Sequence, residues 1–90
     1  MAESSRKKRV TFTLNQPEAT SVSVAGSFNG WDTEGCRLKR QKDGTWKRTE
    51  NLPPGPHEYR FVVDGMWRDD PGCEERRPNE FGEENCVITV

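Results

Sequence analysis

Ninety residues leave room for one small domain and exclude a catalytic barrel, which needs about 250. Fourteen basic side chains against fifteen acidic ones give a net charge of -1, which excludes the broad positive field expected of a protein that binds nucleic acid or an anionic membrane. Only 30% of the residues are hydrophobic, but with charges this balanced the chain is expected to fold, with a limited core under a very polar surface.

Residues 1–9 hold the run Arg6-Lys7-Lys8-Arg9 and no apolar stretch. They read as a flexible basic tail, neither signal peptide nor membrane anchor, and the expected compartment is the cytosol. Cys36, Cys73 and Cys86 are odd in number and lack any C-x-x-C pair, so three reduced thiols are expected in preference to one disulfide and a free thiol.

The domain proper is expected over residues 10–90. Val10, Phe12 and Leu14 alternate with Thr11 and Thr13, the period of a strand with one buried face, and Gln16-Pro17 ends it. A second strand through Val22 and Val24 runs into Gly26-Ser27-Phe28-Asn29-Gly30-Trp31, where Asn29-Gly30 predicts a tight reversal just before Trp31. Residues 37–42 and 45–50 flank Asp43-Gly44, a second hairpin signal, with Leu38 and Trp46 as facing apolar residues. Three prolines within Leu52-Pro53-Pro54-Gly55-Pro56 remove backbone donors and predict a connecting turn. Beyond it Tyr59, Phe61 and Val63 alternate with Glu58, Arg60 and Val62, so Arg60 points away from the buried side. Asp64-Gly65 then predicts a third hairpin into Met66-Trp67-Arg68. Residues 69–84 read as a long structured loop, and residues 86–90 as a closing strand. About seven short strands without helical periodicity predict an all-β fold, an antiparallel β-sandwich of immunoglobulin-like size.

Trp31 and Trp67 each stand beside a glycine turn and among Gly, Asp, Arg and Asn, unlike core tryptophans. They predict a paired aromatic platform for a flat, weakly polar ligand such as a sugar ring, whose C–H face an indole can cover. Trp46, inside a strand, reads as packing. His57 reads as a strand-start residue, and with the three cysteines it lacks the short pair spacing of a zinc site. Asp69 and Asp70 are adjacent and point to opposite sides of an extended chain, unlike the facing carboxylates of a glycosidase. No catalytic, metal or cofactor residue is assigned.

The order of Val22-Ser23-Val24-Ala25-Gly26-Ser27-Phe28-Asn29-Gly30-Trp31, then residues 52–67, then Asp70-Pro71 and Asn85, resembles the glycogen-binding module of the AMP-activated protein kinase β subunit. That family is related to the early-set domains that precede the catalytic barrels of isoamylases and branching enzymes. The resemblance covers residues 10–90 and implies an early-set β-sandwich that binds α-1,4-linked glucan without catalysis. By position it implies that Trp31 and Trp67 stack on sugar, that Arg60 replaces a lysine donor, and that Asn85 bonds sugar hydroxyls. Phe81 stands where the family has a leucine that projects into the glucan, and Glu83 where it has a threonine; an ionised Glu83 accepts hydrogen bonds but donates none. The expected partners are an α-glucan and an enzyme or kinase subunit that the module serves. A reading from a different class, a protein-interaction or scaffolding domain of the same fold without sugar affinity, is motivated by Phe81 and Glu83.

Overall fold

In a computed structural model, which describes residues 7–90, the alternating apolar positions become strands with one face turned inward. The described residues form eight: β1 (Lys8–Asn15), β2 (Val22–Gly26), β3 (Lys39–Arg40), β4 (Thr45–Leu52), β5 (Pro56–Val63), β6 (Met66–Arg68), β7 (Glu75–Pro78) and β8 (Glu84–Thr89). No helix occurs among the described residues. One sheet has the order β1-β4-β3; the other runs β2-β5-β8-β7, with β6 also paired to β5. Every pairing is antiparallel.

The two inner faces meet in a single core. Val10, Phe12 and Leu14 of β1 and Trp46 and Leu52 of β4 pack against Val22 and Val24 of β2, Tyr59, Phe61 and Val63 of β5, and Cys86 of β8. Phe12 lies at the centre of the aromatic contacts, 5.6 Å from Phe28, 5.0 Å from Tyr59 and 6.5 Å from Phe61. Trp46 is buried, as its place in a strand predicts, and its indole N–H donates to the Gln16 carbonyl at 2.8 Å. His57 is also buried, with Nε2 2.7 Å from the Pro53 carbonyl oxygen.

Several expectations need correction. The segment expected as a strand over residues 37–42 is shared between the sheets. The Cys36 carbonyl accepts from Val24 N–H and Leu38 N–H donates to the Val22 carbonyl, which ties this stretch to β2; only Lys39 and Arg40 pair with β4. Trp46 therefore faces Arg40 and Leu14 in register, not Leu38. Residues 69–84 are not all loop, because β7 lies within them and pairs with β8. Strand β1 takes in Lys8 and Arg9, two residues of the expected basic tail, and residues 1–6 of that tail lie outside the described residues. The cysteines are not all reduced: Cys73 and Cys86 form a disulfide across Cα atoms 6.0 Å apart, a span that a bridge accommodates, and Cys36 stays free and buried. Among the described residues no helix is long and apolar enough to cross a membrane.

Candidate functional site

The site is built where the row of strands beside β5 in the larger sheet is interrupted. Strand β2 occupies one side of β5 from Tyr59 to Val63. On the other side β8 pairs with Pro56 to Tyr59 and β6 pairs with Phe61 to Val63, so the two lie end to end and Arg60 falls at the junction. Register then assigns faces. Trp67 sits opposite Val62, and continuing the β5–β8 register by one residue sets Asn85 across from Arg60. Because Phe61 and Tyr59 point into the core, Arg60, Val62, Trp67 and Asn85 share the outer face.

Trp67 reaches this face through a two-residue hairpin. Asp64 and Gly65 both have positive φ, 50° and 83°, as the turn matching the twist of two antiparallel strands requires. Trp31 arrives by a different route, since Asn29-Gly30 does not make a hairpin. The loop after β2 is clamped by the Asn29 side chain, whose Oδ1 accepts from Gly26 N–H at 3.0 Å and Asp32 N–H at 3.3 Å while Nδ2 donates to the Val24 carbonyl. Trp31 N–H closes the loop onto the Gly26 carbonyl at 2.9 Å. A side chain at Gly26 would come within 2.5 Å of the Glu58 carbonyl oxygen and of the Phe28 ring, so this close approach requires glycine. The clamp leaves Trp31 at φ 62°, in the left-handed region that an aromatic residue enters at a cost of about 1–2 kcal/mol.

The two indoles meet edge to face with centroids 6.4 Å apart and planes inclined by 61°. Trp67 is 45% exposed and Trp31 half-buried. Arg60 lies beside them, its guanidinium carbon 5.8 Å from the centre of the Trp67 ring. Two carboxylates hold it: one terminal nitrogen is 3.1 Å from Asp69 Oδ1 and the other donates to Glu83 Oε1. Its Nε is buried and has no hydrogen-bond partner among the described residues.

Phe81 stands at the tip of the β7–β8 hairpin, 81% exposed. Asn79 shapes that tip. Its Oδ1 accepts from the N–H groups of Phe81 and Glu83 at 2.9 and 3.1 Å, and its Nδ2 donates to Asn85 Oδ1 at 3.1 Å. Asn85 is buried, and its own Nδ2 donates to Glu58 Oε1 at 3.1 Å. One amide hydrogen and one lone pair of Asn85 remain for another partner.

All six residues named from the sequence, Trp31, Arg60, Trp67, Phe81, Glu83 and Asn85, line one cavity of about 700 Å³. Asn79 and Glu80 complete its lining, and Asp69, outside the lining, holds Arg60. Sequence reasoning missed these three. Asn79, three residues before Gly82 and four before Glu83, has the spacing of a side-chain-capped turn and was the one with a readable signal. The cavity combines a broad apolar surface with convergent donors and acceptors, the composition of a small-molecule site. The described residues contain no cluster of three metal-ligating side chains.

The family model for the glycogen recognition site of AMP-activated protein kinase matches residues 8–90. Protein FLOURY ENDOSPERM 6, chloroplastic, of Oryza sativa subsp. japonica is 37% identical over 84 residues, covering 91% of this chain and 15% of the relative. Phosphoglucan phosphatase DSP4, amyloplastic, of Castanea sativa is 38% identical over 88 residues, covering 94% and 23%. The 5'-AMP-activated protein kinase subunit beta-2 of Mus musculus is 42% identical over 69 residues, covering 77% and 24%. The chain thus spans less than a quarter of the length of each of these relatives. With the match running from Lys8 to the last residue, the chain belongs to the family of glycogen recognition sites of AMP-activated protein kinase.

Proposed function

We propose that residues 10–90 form a single non-catalytic domain that binds α-1,4-linked glucan, of the glycogen or starch type, in the cavity between Trp31, Trp67 and Phe81. The observation that supports this most is the convergence of two inclined indoles, an arginine and an asparagine on one open cavity. Each indole covers the C–H face of a glucose ring, and removing about 100 Å² of apolar area from water contributes about 2.5 kcal/mol. Hydroxyls at the ring edge meet the free donors of Arg60, the second oxygen of Glu83 and the remaining sites of Asn85. Phe81 supplies a third apolar contact from the hairpin tip.

The inclination of the rings selects the linkage. Planes 61° apart follow a curved α-1,4 chain, whereas a flat β-1,4 ribbon needs rings in one plane. Glu83 serves mainly to hold Arg60, so a position that could not donate to sugar still contributes by orienting a neighbour that can. A shallow site of this kind binds weakly, on the order of micromolar to millimolar, because each hydroxyl exchanges water for protein.

The relatives are several times longer than this chain, and we assign it the place of a module that brings an attached or associated enzyme or kinase subunit to polysaccharide. Co-sedimentation tests the substrate class. The chain is expected to pellet with glycogen and insoluble amylose and to stay in solution with cellulose; equal retention on all three contradicts the reading.

A further inference from the structure

Trp67 lines two cavities. Beyond the large one, a second cavity of about 230 Å³ lies over the row formed by Ser23, Val62 and Trp67, with Thr33, Glu34 and Arg37 in its wall. That wall stands on fixed backbone. The Ser23 hydroxyl donates to the Thr33 carbonyl at 2.6 Å, Ser23 and Arg37 form a β-bridge, and Leu38 N–H donates to the Val22 carbonyl at 2.8 Å.

Its chemistry narrows the ligand. Glu34 and Arg37 lie 3.5 Å apart, with side chains 78% and 68% exposed. An exposed pair of this kind contributes about 0–1 kcal/mol, so both groups exchange it for ligand contacts at small cost. An anion would be repelled by Glu34 and a cation by Arg37, whereas a neutral polyhydroxyl compound finds an acceptor in one and donors in the other. Val62 and the indole provide the apolar floor that a sugar ring needs. Trp67 with Arg60 and Glu83 offers the same combination in the larger cavity. The second cavity is about a third the size of the first, which suits the end of a chain whose main length lies elsewhere.

We infer that the glucan path continues past Trp67 into this polar subsite, where Glu34 and Arg37 bind a further glucose unit and make affinity depend on chain length. The inference rests on the α-glucan reading of the larger cavity. Maltotriose is short enough to be held by that cavity alone; maltoheptaose reaches both.

The test compares the wild type with the double variant Glu34→Ala, Arg37→Ala, titrated with each sugar and followed by amide NMR, with thermal melting as a check on folding. The variant is expected to bind maltotriose as the wild type does and to lose roughly three- to tenfold on maltoheptaose. Amides of residues 33–37 are expected to shift with the longer sugar and not with the shorter. An equal response of both proteins to maltoheptaose, or the same loss on both sugars, overturns the subsite while leaving the main site standing. Failure of the wild type to bind either sugar overturns the glucan reading and the subsite with it.

Discussion

Trp31 holds a conformation that favours glycine, and its loop is clamped by Asn29 so that the indole stays there. Backbone cost at a residue that the core does not need is the mark of a position shaped by something other than stability. Two substitutions separate these contributions. Trp31→Ala and Trp31→Gly remove the same ring, but glycine also releases the left-handed penalty; Trp31→Gly is expected to be about 1 kcal/mol more stable than Trp31→Ala in chemical denaturation, with both lowering affinity for maltoheptaose by tenfold or more. Equal stability of the two variants would show that the loop relaxes and that Trp31 is not held under strain.

Tyr59 is the other residue whose environment predicts a measurable property. Burial, then the hydrogen bond it donates to Asp70 Oδ2 at 2.6 Å and the negative charge of that carboxylate, push its phenol well above the ordinary value of 10.0. The folded state therefore keeps the proton where the unfolded chain releases it. This contribution to stability is fully present below about pH 10 and is lost as pH rises above it toward the folded value. Since Tyr59 is the one tyrosine in the sequence, tyrosinate absorbance reads it alone. It is expected to ionise late and together with unfolding, and Tyr59→Phe is expected to flatten the alkaline fall in stability. Ionisation near pH 10 in the folded protein would contradict the assignment.

At the scale of elements, the strands that alternate were legible and those that do not were missed. β1 and β5 each place three large apolar side chains on one face, so their period declared them. β7 reads Glu-Arg-Arg-Pro and is exposed along its whole length, so it presents no period, and its existence depends on pairing with β8. Likewise nothing local in residues 36–40 announces that the chain leaves one sheet for the other. The disulfide was invisible for a related reason: it depends on where the segment before β7 returns against β8. That bond ties the loop holding Asp69 and Asp70, the partners of Arg60 and Tyr59, to the strand that begins next to the site. Cys73→Ala with Cys86→Ala is expected to cost about 2–3 kcal/mol and lower Tm by roughly 10 °C. A Tm unchanged by the substitutions, or by reductant on the wild type, would show that the bridge does not form in solution.

For the molecule as a whole, the sandwich was readable because strand periods and hairpin signals are local, and Trp31 and Trp67 because each stands beside a glycine turn, whereas Arg60, Phe81, Glu83 and Asn85 were named by position from the resemblance to a known family. The way those residues are held was not readable. Asn85, expected to bond sugar hydroxyls, is buried and also bonded to Asn79 and Glu58; Glu83 and Asp69 are committed to Arg60; and Asn79 orders the tip that presents Phe81. These are relations between segments far apart in sequence, and only the folded register brings them together. We propose that they converge to bind α-glucan. Addition of maltoheptaose to the wild-type chain, followed through tryptophan fluorescence and the amide spectrum, tests it most directly. Saturable changes are expected, centred on Trp31, Arg60, Trp67 and residues 79–85, with a Kd on the order of micromolar to millimolar, abolished by Trp67→Ala. No saturable change up to millimolar sugar, or changes that leave those residues untouched, would contradict it.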